Sequence, residues 1–456
     1  MSSVTGNGRR ILFCVPNCYF DDSNGAAIAS RALMETLGRW GFDEAYDVMK
    51  ARWIVLTLVA ATSRPAPAGD FPAFRAEQVD PRVGEVCYAV TLADVDGDGK
   101  PDVVAVANDA VVWYRNPTWE KRDIIRNATE KDNVCLQARD LDGDGRVDFA
   151  LGASWQPSNT KTGGTLQALT RTGAAGGAWR VVPLGSEPTL HRIRFGDVLG
   201  TGSPQLVVAP LQGRGTKGPD WGQGAGVRIL VRPVPPDPFA TPWPVEVADE
   251  TLHTIHNFQL VDLDGDGKDE ILAAAWEGVF VLKRDGQGGW SKTKLGAGNQ
   301  GPQANKGASE VKLGKLRDGR RYVATIEPWH GFQVVAYTPP RSGSGEWERT
   351  VVDEPVKWGH AVWCVDLDGD GDDEVVIGQR DPNDRAGATP KGPGVYAYDP
   401  RPGPGPLTFD RHVIDDGGVA VEDLVAGDLD GDGRPEVVAG GRASHNVKIY
   451  WNLGGR

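Results

Sequence analysis

One short acidic motif recurs along this chain and limits what it can fold into. DLDGDG occurs at Asp140–Gly145, Asp262–Gly267, Asp366–Gly371 and Asp428–Gly433, and DVDGDG stands at Asp94–Gly99. Each copy lies between two apolar runs rich in β-branched residues, as in CYAVTLADVDGDGKPDVVAVA. Carboxylates at loop positions 1, 3 and 5, a backbone carbonyl at 7 and an acid at 9 suit a hard cation with oxygen ligands. The glycines allow the positive-φ turns that fold the acids round one point. The pattern predicts strand–loop–strand calcium sites with a structural role. Their side-chain ligands would be Asp94, Asp96, Asp98 and Asp102; Asp140, Asp142, Asp144 and Asp148; Asp262, Asp264, Asp266 and Glu270; Asp366, Asp368, Asp370 and Glu374; and Asp428, Asp430, Asp432 and Glu436.

Let the first Asp of each loop be position zero. Two further stretches are decayed copies: RFGDVLGTGSPQLVVAPL puts Asp197 at zero, and KLGKLRDGRRYVATIEPW puts Lys315 there. Successive zeros are then 46 to 65 residues apart, which makes seven repeats. A period of this size with several short strands per unit predicts an all-β fold, a seven-bladed β-propeller. In each repeat one strand leads into the acidic loop and a second leaves it, as in EILAAAW. A third follows, as in GVFVLKR, and a fourth carries an early aromatic, as in WEKRDII and WSKTKLG. The last repeat reaches only its third strand, NVKIYWN, while an unassigned strand, FRAEQVD at Phe74–Asp80, precedes the first. The ring is therefore expected to close by pairing this N-terminal strand into the last blade, which removes open edges. The propeller domain is placed at 70–456.

These repeats resemble the FG-GAP/VCBS type of calcium-loop propeller, found in integrin heads, fungal lectins and several polysaccharide lyases. Strand ends such as LHRIRFGD and EPWHGFQVV resemble the propeller domain of aldos-2-ulose dehydratases. That enzyme family carries further domains, a cupin-like one among them, and this sequence shows none. The resemblance implies a carbohydrate-directed propeller.

The formal net charge of −13 disfavours nucleic acid or an anionic membrane as partner. Two signals precede residue 70. Residues 9–42 read as strand, loop and amphipathic helix, and resemble the first βα unit of retaining glycosyltransferases. A lone βα unit cannot bury its faces. From Met49, MKARWIVLTLVAATSRPAPAGD has a basic start (Lys50, Arg52), an apolar run (Trp53–Ala61) and a small-residue cleavage site at Ala66-Pro67-Ala68. That is a secretory signal peptide over 49–68, too short to span a bilayer. Met49 is then the expected start, residues 1–48 a mis-assigned leader, and the product a secreted or periplasmic monomer with no membrane span. Cys14 and Cys18 fall in the leader, whereas Cys87, Cys135 and Cys364 lie on strand patterns and read as buried free thiols.

The starts of the first strands should line the central channel on the face opposite the acidic loops. Position −6 holds Tyr88, Val134, His191, His256, Ser309, His360 and Glu422. Three of the seven histidines share this one position. The candidate catalytic residues are His191, His256, His360, His330, Tyr88 and Glu422. The ends of the second strands feed the same face with Trp155, Trp276, Glu327, Trp329, Arg380 and Arg442. Tryptophan faces stack on sugar rings, and ionic groups bind hydroxyls or an acid group, so carbohydrate is the expected partner. His412, on a fourth strand, reads as structural.

This constellation suits a carbon–oxygen lyase acting on a keto-sugar. A base removes a proton beside a carbonyl, an acid assists departure of the β-oxygen, and a positive group holds the enolate. Zinc or another divalent metal on His191, His256 and His360, or an arginine, would supply the last. Two other readings stand beside it: a non-catalytic lectin or adhesion propeller binding carbohydrate or protein, and an eliminating polysaccharide lyase.

Overall fold

The computed structural model describes residues 2–6, 9–13, 71–171, 177–240, 242–341, 343–354, 356–383, 392–403 and 405–455. The chain divides into two units, Met1–Arg64 and Pro65–Arg456. In the first, Ser2–Gly6 and Arg9–Phe13 form an antiparallel pair with Ser2 opposite Phe13. The helix expected after this strand, Cys14, Cys18 and the signal peptide over 49–68 lie outside the described residues.

The second unit consists of seven four-stranded antiparallel sheets, and no helix occurs among the described residues. The innermost strands are Cys87–Ala93, Cys135–Arg139, Leu190–Gly196, Asn257–Val261, Glu310–Lys315, Gly359–Val365 and Val421–Gly427. Each packs against the innermost strands of the sheets before and after it, and Val421–Gly427 packs against Cys87–Ala93. This is the seven-bladed propeller read from the repeats.

Burial follows position in the blade. Second strands such as Asp102–Ala107 and Glu270–Ala275 are buried at every residue, because neighbouring blades cover both faces. They accordingly read as near-continuous apolar runs. Outer strands such as Trp179–Ser186 face solvent at several positions. The core lies between blades: Val103, Val112 and Tyr114 of the first blade pack with Val438, Val447 and Ile449 of the seventh. At this junction a Cβ on Gly440 would fall 2.6 Å from Cys87 Sγ, so the approach requires glycine. Cys87, Cys135 and Cys364 are free thiols.

The seventh sheet takes its outermost strand from Phe74–Asp80, antiparallel to Val447–Asn452, with Phe74 opposite Asn452. Asp80, at the end of that strand, accepts hydrogen bonds from Tyr114 Oη at 2.6 Å and Lys121 Nζ at 2.6 Å, both of the first blade. The same Asp–Tyr latch joins neighbouring blades at Asp415–Tyr450 (2.5 Å) and Asp353–Tyr398 (3.1 Å). Burial alone would raise the Asp80 carboxyl, but the bonds from Lys121, Tyr114 and the Arg82 amide hold it below the usual carboxylate range.

Candidate functional site at the propeller axis

Position −6 is built by irregular backbone. Tyr88, His191, His360 and Glu422 are each the unpaired residue of a β-bulge: Leu190 pairs with Pro210 and Arg192 with Ala209, leaving His191 between them. A bulge re-aims the side chain of its extra residue. His256 stands one residue ahead of its strand, and the Ala308–Ser309 stretch is likewise pre-strand. Two residues ahead of three histidines, Thr189, Thr254 and Trp358 adopt φ of 57°, 44° and 52°. A β-branched residue in the left-handed region is strained, and such strain collects at functional sites. Gln212 braces two of these turns: Thr189 Oγ1 donates to its carbonyl at 3.1 Å and Thr254 Oγ1 to its Oε1 at 3.0 Å.

The imidazoles converge. Ring centroids of His191 and His256 are 4.7 Å apart, those of His256 and His360 4.8 Å, and those of His256 and His330 4.6 Å. His330 itself has φ 49° and lies against both Trp329 and Trp358, each at 4.9 Å. Trp155 lies 4.9 Å from His191. Nδ1 of His191 donates to the His256 carbonyl at 2.9 Å, and Nδ1 of His360 to the Glu422 carbonyl at 2.6 Å. Nδ1 of His256 bonds the Glu310 carboxylate at 2.6 Å, which also accepts from Asn257 Nδ2. These bonds fix the tautomer and leave Nε2 of each ring as an acceptor, that of His256 facing His330 Nε2 at 3.0 Å. Burial first, and then the Arg192 and Arg380 charges, holds His256 well below its usual value, and burial dominates likewise for His191, His330 and His360. All four are neutral at pH 7.

Neutral imidazoles whose far nitrogens are held by a carboxylate or a carbonyl are suited to bind a transition metal. The nitrogens of His256, His330 and His360 lie within 4.8 Å of one another. His330, from the end of a second strand, thus joins His256 and His360, and His191 stands beside them with its ring 4.7 Å from His256. The wall next to His360 is ionic. Glu422 lies 3.8 Å from His360 Nε2 through Oε1, which accepts from Arg442 Nη1 at 2.5 Å. Burial raises the Glu422 carboxyl, against the pull of Arg442, Arg380 and Arg192, and its Oε2 has no hydrogen-bond partner. Arg442 lies over the Tyr88 ring at 5.5 Å and Arg380 over Trp358 at 4.5 Å. Burial pushes Tyr88 up to about 12, so it is a neutral donor. An open depression lined by Asp132, Trp155 and Gln156 adjoins.

Two expected sugar contacts are placed otherwise. Glu327 is fully buried, and its carboxylate accepts from Arg349 (2.6 and 2.9 Å), Tyr337 (2.6 Å) and Thr325 (3.0 Å), so a ligand finds no free oxygen there. Trp276 carries Gly222 against its indole, since a Cβ on that glycine would lie 2.6 Å from Trp276 Cδ1. Trp155, Trp329, Arg380 and Arg442 do reach the cluster. His412 stacks on Phe71 at 3.8 Å on an outer strand. His253 is held by Glu277 at 2.6 Å and His445 by the Glu85 carbonyl at 2.5 Å. Sequence reading missed Arg192, Glu310 and Gln212. The first two follow a position −6 residue directly, and a second column of the repeat would have shown them.

The acidic loops fit hard cations by their own chemistry. The acid at position 9 is buried in each, and one of its oxygens accepts the amide of loop position 2: Val95 to Asp102 at 2.8 Å, Leu141 to Asp148 at 3.1 Å, Leu263 to Glu270 at 2.8 Å, Leu367 to Glu374 at 2.5 Å, Leu429 to Glu436 at 2.8 Å. The other oxygens of Glu374 and Glu436, with Asp96 Oδ1 and Asp368 Oδ2, are buried without a donor. The decayed third-blade loop shows what is missing. There Gln205 stands at position 9, its Oε1 accepts the Leu199 amide, and its Nε2 donates to Asp197 Oδ1 at 3.2 Å and Thr201 Oγ1 at 3.1 Å. An amide fills a place for which the acidic loops offer only oxygens.

Comparison with known proteins agrees with this architecture. A family profile described as "Aldos-2-ulose dehydratase, beta-propeller domain" matches residues 163–340, and an FG-GAP-like repeat matches 94–151. Aldos-2-ulose dehydratase of Phanerodontia chrysosporium is 29% identical over 235 residues, which are 47% of this chain and 25% of that protein. The chain thus spans about a quarter of the length of this relative. A lectin of Agrocybe aegerita, solved for its recognition of non-reducing terminal N-acetylglucosamine, superposes with a TM-score of 0.48 at 15% identity, over 85% of this chain and 96% of that one. No helix among the described residues is long and apolar enough to cross a membrane. The second unit is a seven-bladed β-propeller that resembles the propeller domain of aldos-2-ulose dehydratase and, over residues 94–151, an FG-GAP-like repeat.

Proposed function

We propose that this chain is a carbohydrate-active propeller whose axial cluster carries out a carbon–oxygen lyase reaction, the β-elimination of water from a keto-sugar. The observation that carries the reading is the convergence of four neutral imidazoles, those of His191, His256 and His360 buried and that of His330 half-buried, on a wall of Glu422, Tyr88 and Arg442. His256, His330 and His360 would hold zinc or another divalent metal, which when bound polarises the sugar carbonyl. Glu422, made more basic by burial, takes the proton from the carbon beside that carbonyl. Tyr88, neutral at pH 7, donates toward the departing β-hydroxyl, which leaves as water. Trp155 and Trp329 offer faces to the ring. Calcium in the acidic loops would serve the fold, and export would place the chain where calcium is plentiful. The similarity to a sugar dehydratase over part of the chain supports the substrate class.

The test is an incubation with a panel of keto-sugars, aldos-2-uloses among them, followed by ultraviolet absorbance of the conjugated enone. The reading expects the signal from the wild type and its loss in Glu422→Gln with folding intact. Tight sugar binding by the wild type without turnover would make the chain a lectin-like binding module instead.

A further inference from the structure

One residue beyond position −6, the inner strands carry a second polar layer: Arg192, Asn257 and Glu310 are buried there, with Asp423 beside them. Arg192 is the least satisfied of these. It is 4% exposed, Nη1 reaches only the His191 carbonyl at 3.5 Å, and Nη2 has no hydrogen-bond partner. Its charge acts on His191, His256, Glu310, His360 and Glu422, which stand on five different blades. Only a guanidinium close to the axis reaches all of them. A buried donor without an acceptor is costly to keep, and a ligand that satisfies it recovers that cost.

The neighbouring charges point the same way. Glu422 lies between Arg442 Nη1 at 2.5 Å and Arg380 Nη1 at 3.9 Å, one carboxylate between two guanidiniums. Arg380 is shared with Asp381 at 3.4 Å, and Arg192 faces Glu310 and Asp423, so the axial arginines and acids alternate and Nη2 of Arg192 is the donor left without an acceptor. We propose that the sugar bound at the axis carries a carboxylate, and that Arg192 Nη2 donates to it. This rests on the carbohydrate reading above and adds an acid group to the sugar it names. Guanidinium suits the task because it stays charged when buried and pairs with carboxylate geometry.

Calorimetric titration with matched pairs tests this: 2-keto-D-gluconate against D-fructose, and D-galacturonate against D-galactose. Within each pair a carboxylate replaces a hydroxymethyl group. The wild type should bind at least one acid about tenfold or more tighter than its neutral partner at low salt, as a charge-assisted hydrogen bond implies. Arg192→Gln should abolish this preference. If that variant does not fold, Arg192→Lys carries the test and should lose part of the preference, because the planar fork is gone. Equal affinity within both pairs overturns the proposal and leaves the carbohydrate reading standing. A preference undiminished in a folded Arg192 variant overturns the role of Arg192. Failure to bind any of the four sugars counts against both readings.

Discussion

His330 Nε2 lies 3.0 Å from His256 Nε2, although the two residues are 74 positions apart and sit on different blades. Nδ1 of His256 is engaged by Glu310, so its Nε2 faces His330 as an acceptor. Two such nitrogens at this distance share either a proton or a cation. The Glu310 bond then decides how good a ligand His256 is. Glu310→Gln should weaken metal binding at the axis about 10- to 100-fold, the usual effect of losing a carboxylate behind a ligating imidazole. Competition with a chromophoric chelator measures it. His412→Ala should leave it unchanged.

Calcium removal should destabilise the propeller. A ligand that binds only the folded state adds stability by mass action, so a calcium chelator should lower Tm by several degrees. Asp264→Ala should reproduce part of that loss. Gln205→Ala should cost about 1–2 kcal/mol whether calcium is present or not, because an internal amide closes that loop. A melting curve unmoved by the chelator would mean that the acidic loops do not need a cation.

The cost of removing calcium should also depend on pH. Burial raises Glu436 to about 7, Asp102 to about 6 and Glu374 to about 10. A carboxyl whose folded value exceeds its unfolded one binds a proton on folding, so its penalty grows as pH rises above the unfolded value near 4 to 4.5. The loss of melting temperature on chelation should therefore be smaller at pH 5 than at pH 8. The neutral axial imidazoles lose stability on acidification, but do so with and without calcium alike. Calcium-loaded protein should not gain on acidification, since metal replaces the proton. Thermal melts at the two pH values, with and without calcium, check this.

Asp80 behaves in the opposite sense. Its folded value is lowered, so its contribution is present above the unfolded value near 4 and is lost as pH falls through the folded one. Tyr114→Phe should cost about 0.5–1.5 kcal/mol in denaturant unfolding at pH 7. Asp80→Asn should cost more, because it also strands Lys121. Removing the chain through Asp80 should prevent stable folding, since Val447–Asn452 would lose its neighbour.

Much of this architecture was legible because repetition averages out ambiguity. Any single run such as EILAAAW could be helix or strand, but seven copies, five of them around acidic turns, cannot. The convergence at position −6 was legible for the same reason. What the sequence hid depends on side-chain direction. Glu327 and Trp276 stand at the ends of second strands as Arg380 does, yet Arg349 claims the first and Gly222 lies against the second. Those partners come from irregular loops and outer strands that carry no period. The bulges that turn His191 and His360, and the left-handed Thr189 and Thr254 ahead of the histidines, leave no residue signature either, since threonine is not a residue that marks a positive φ.

The account stands most directly on the axial imidazoles as a metal centre separate from the acidic loops. Elemental analysis of protein purified without chelator tests that claim. The account predicts about one equivalent of zinc or another transition metal per chain, lost in the His256→Ala, His360→Ala double variant while calcium content is unchanged. Wild-type protein without transition metal, or a double variant that keeps its full complement, would contradict it.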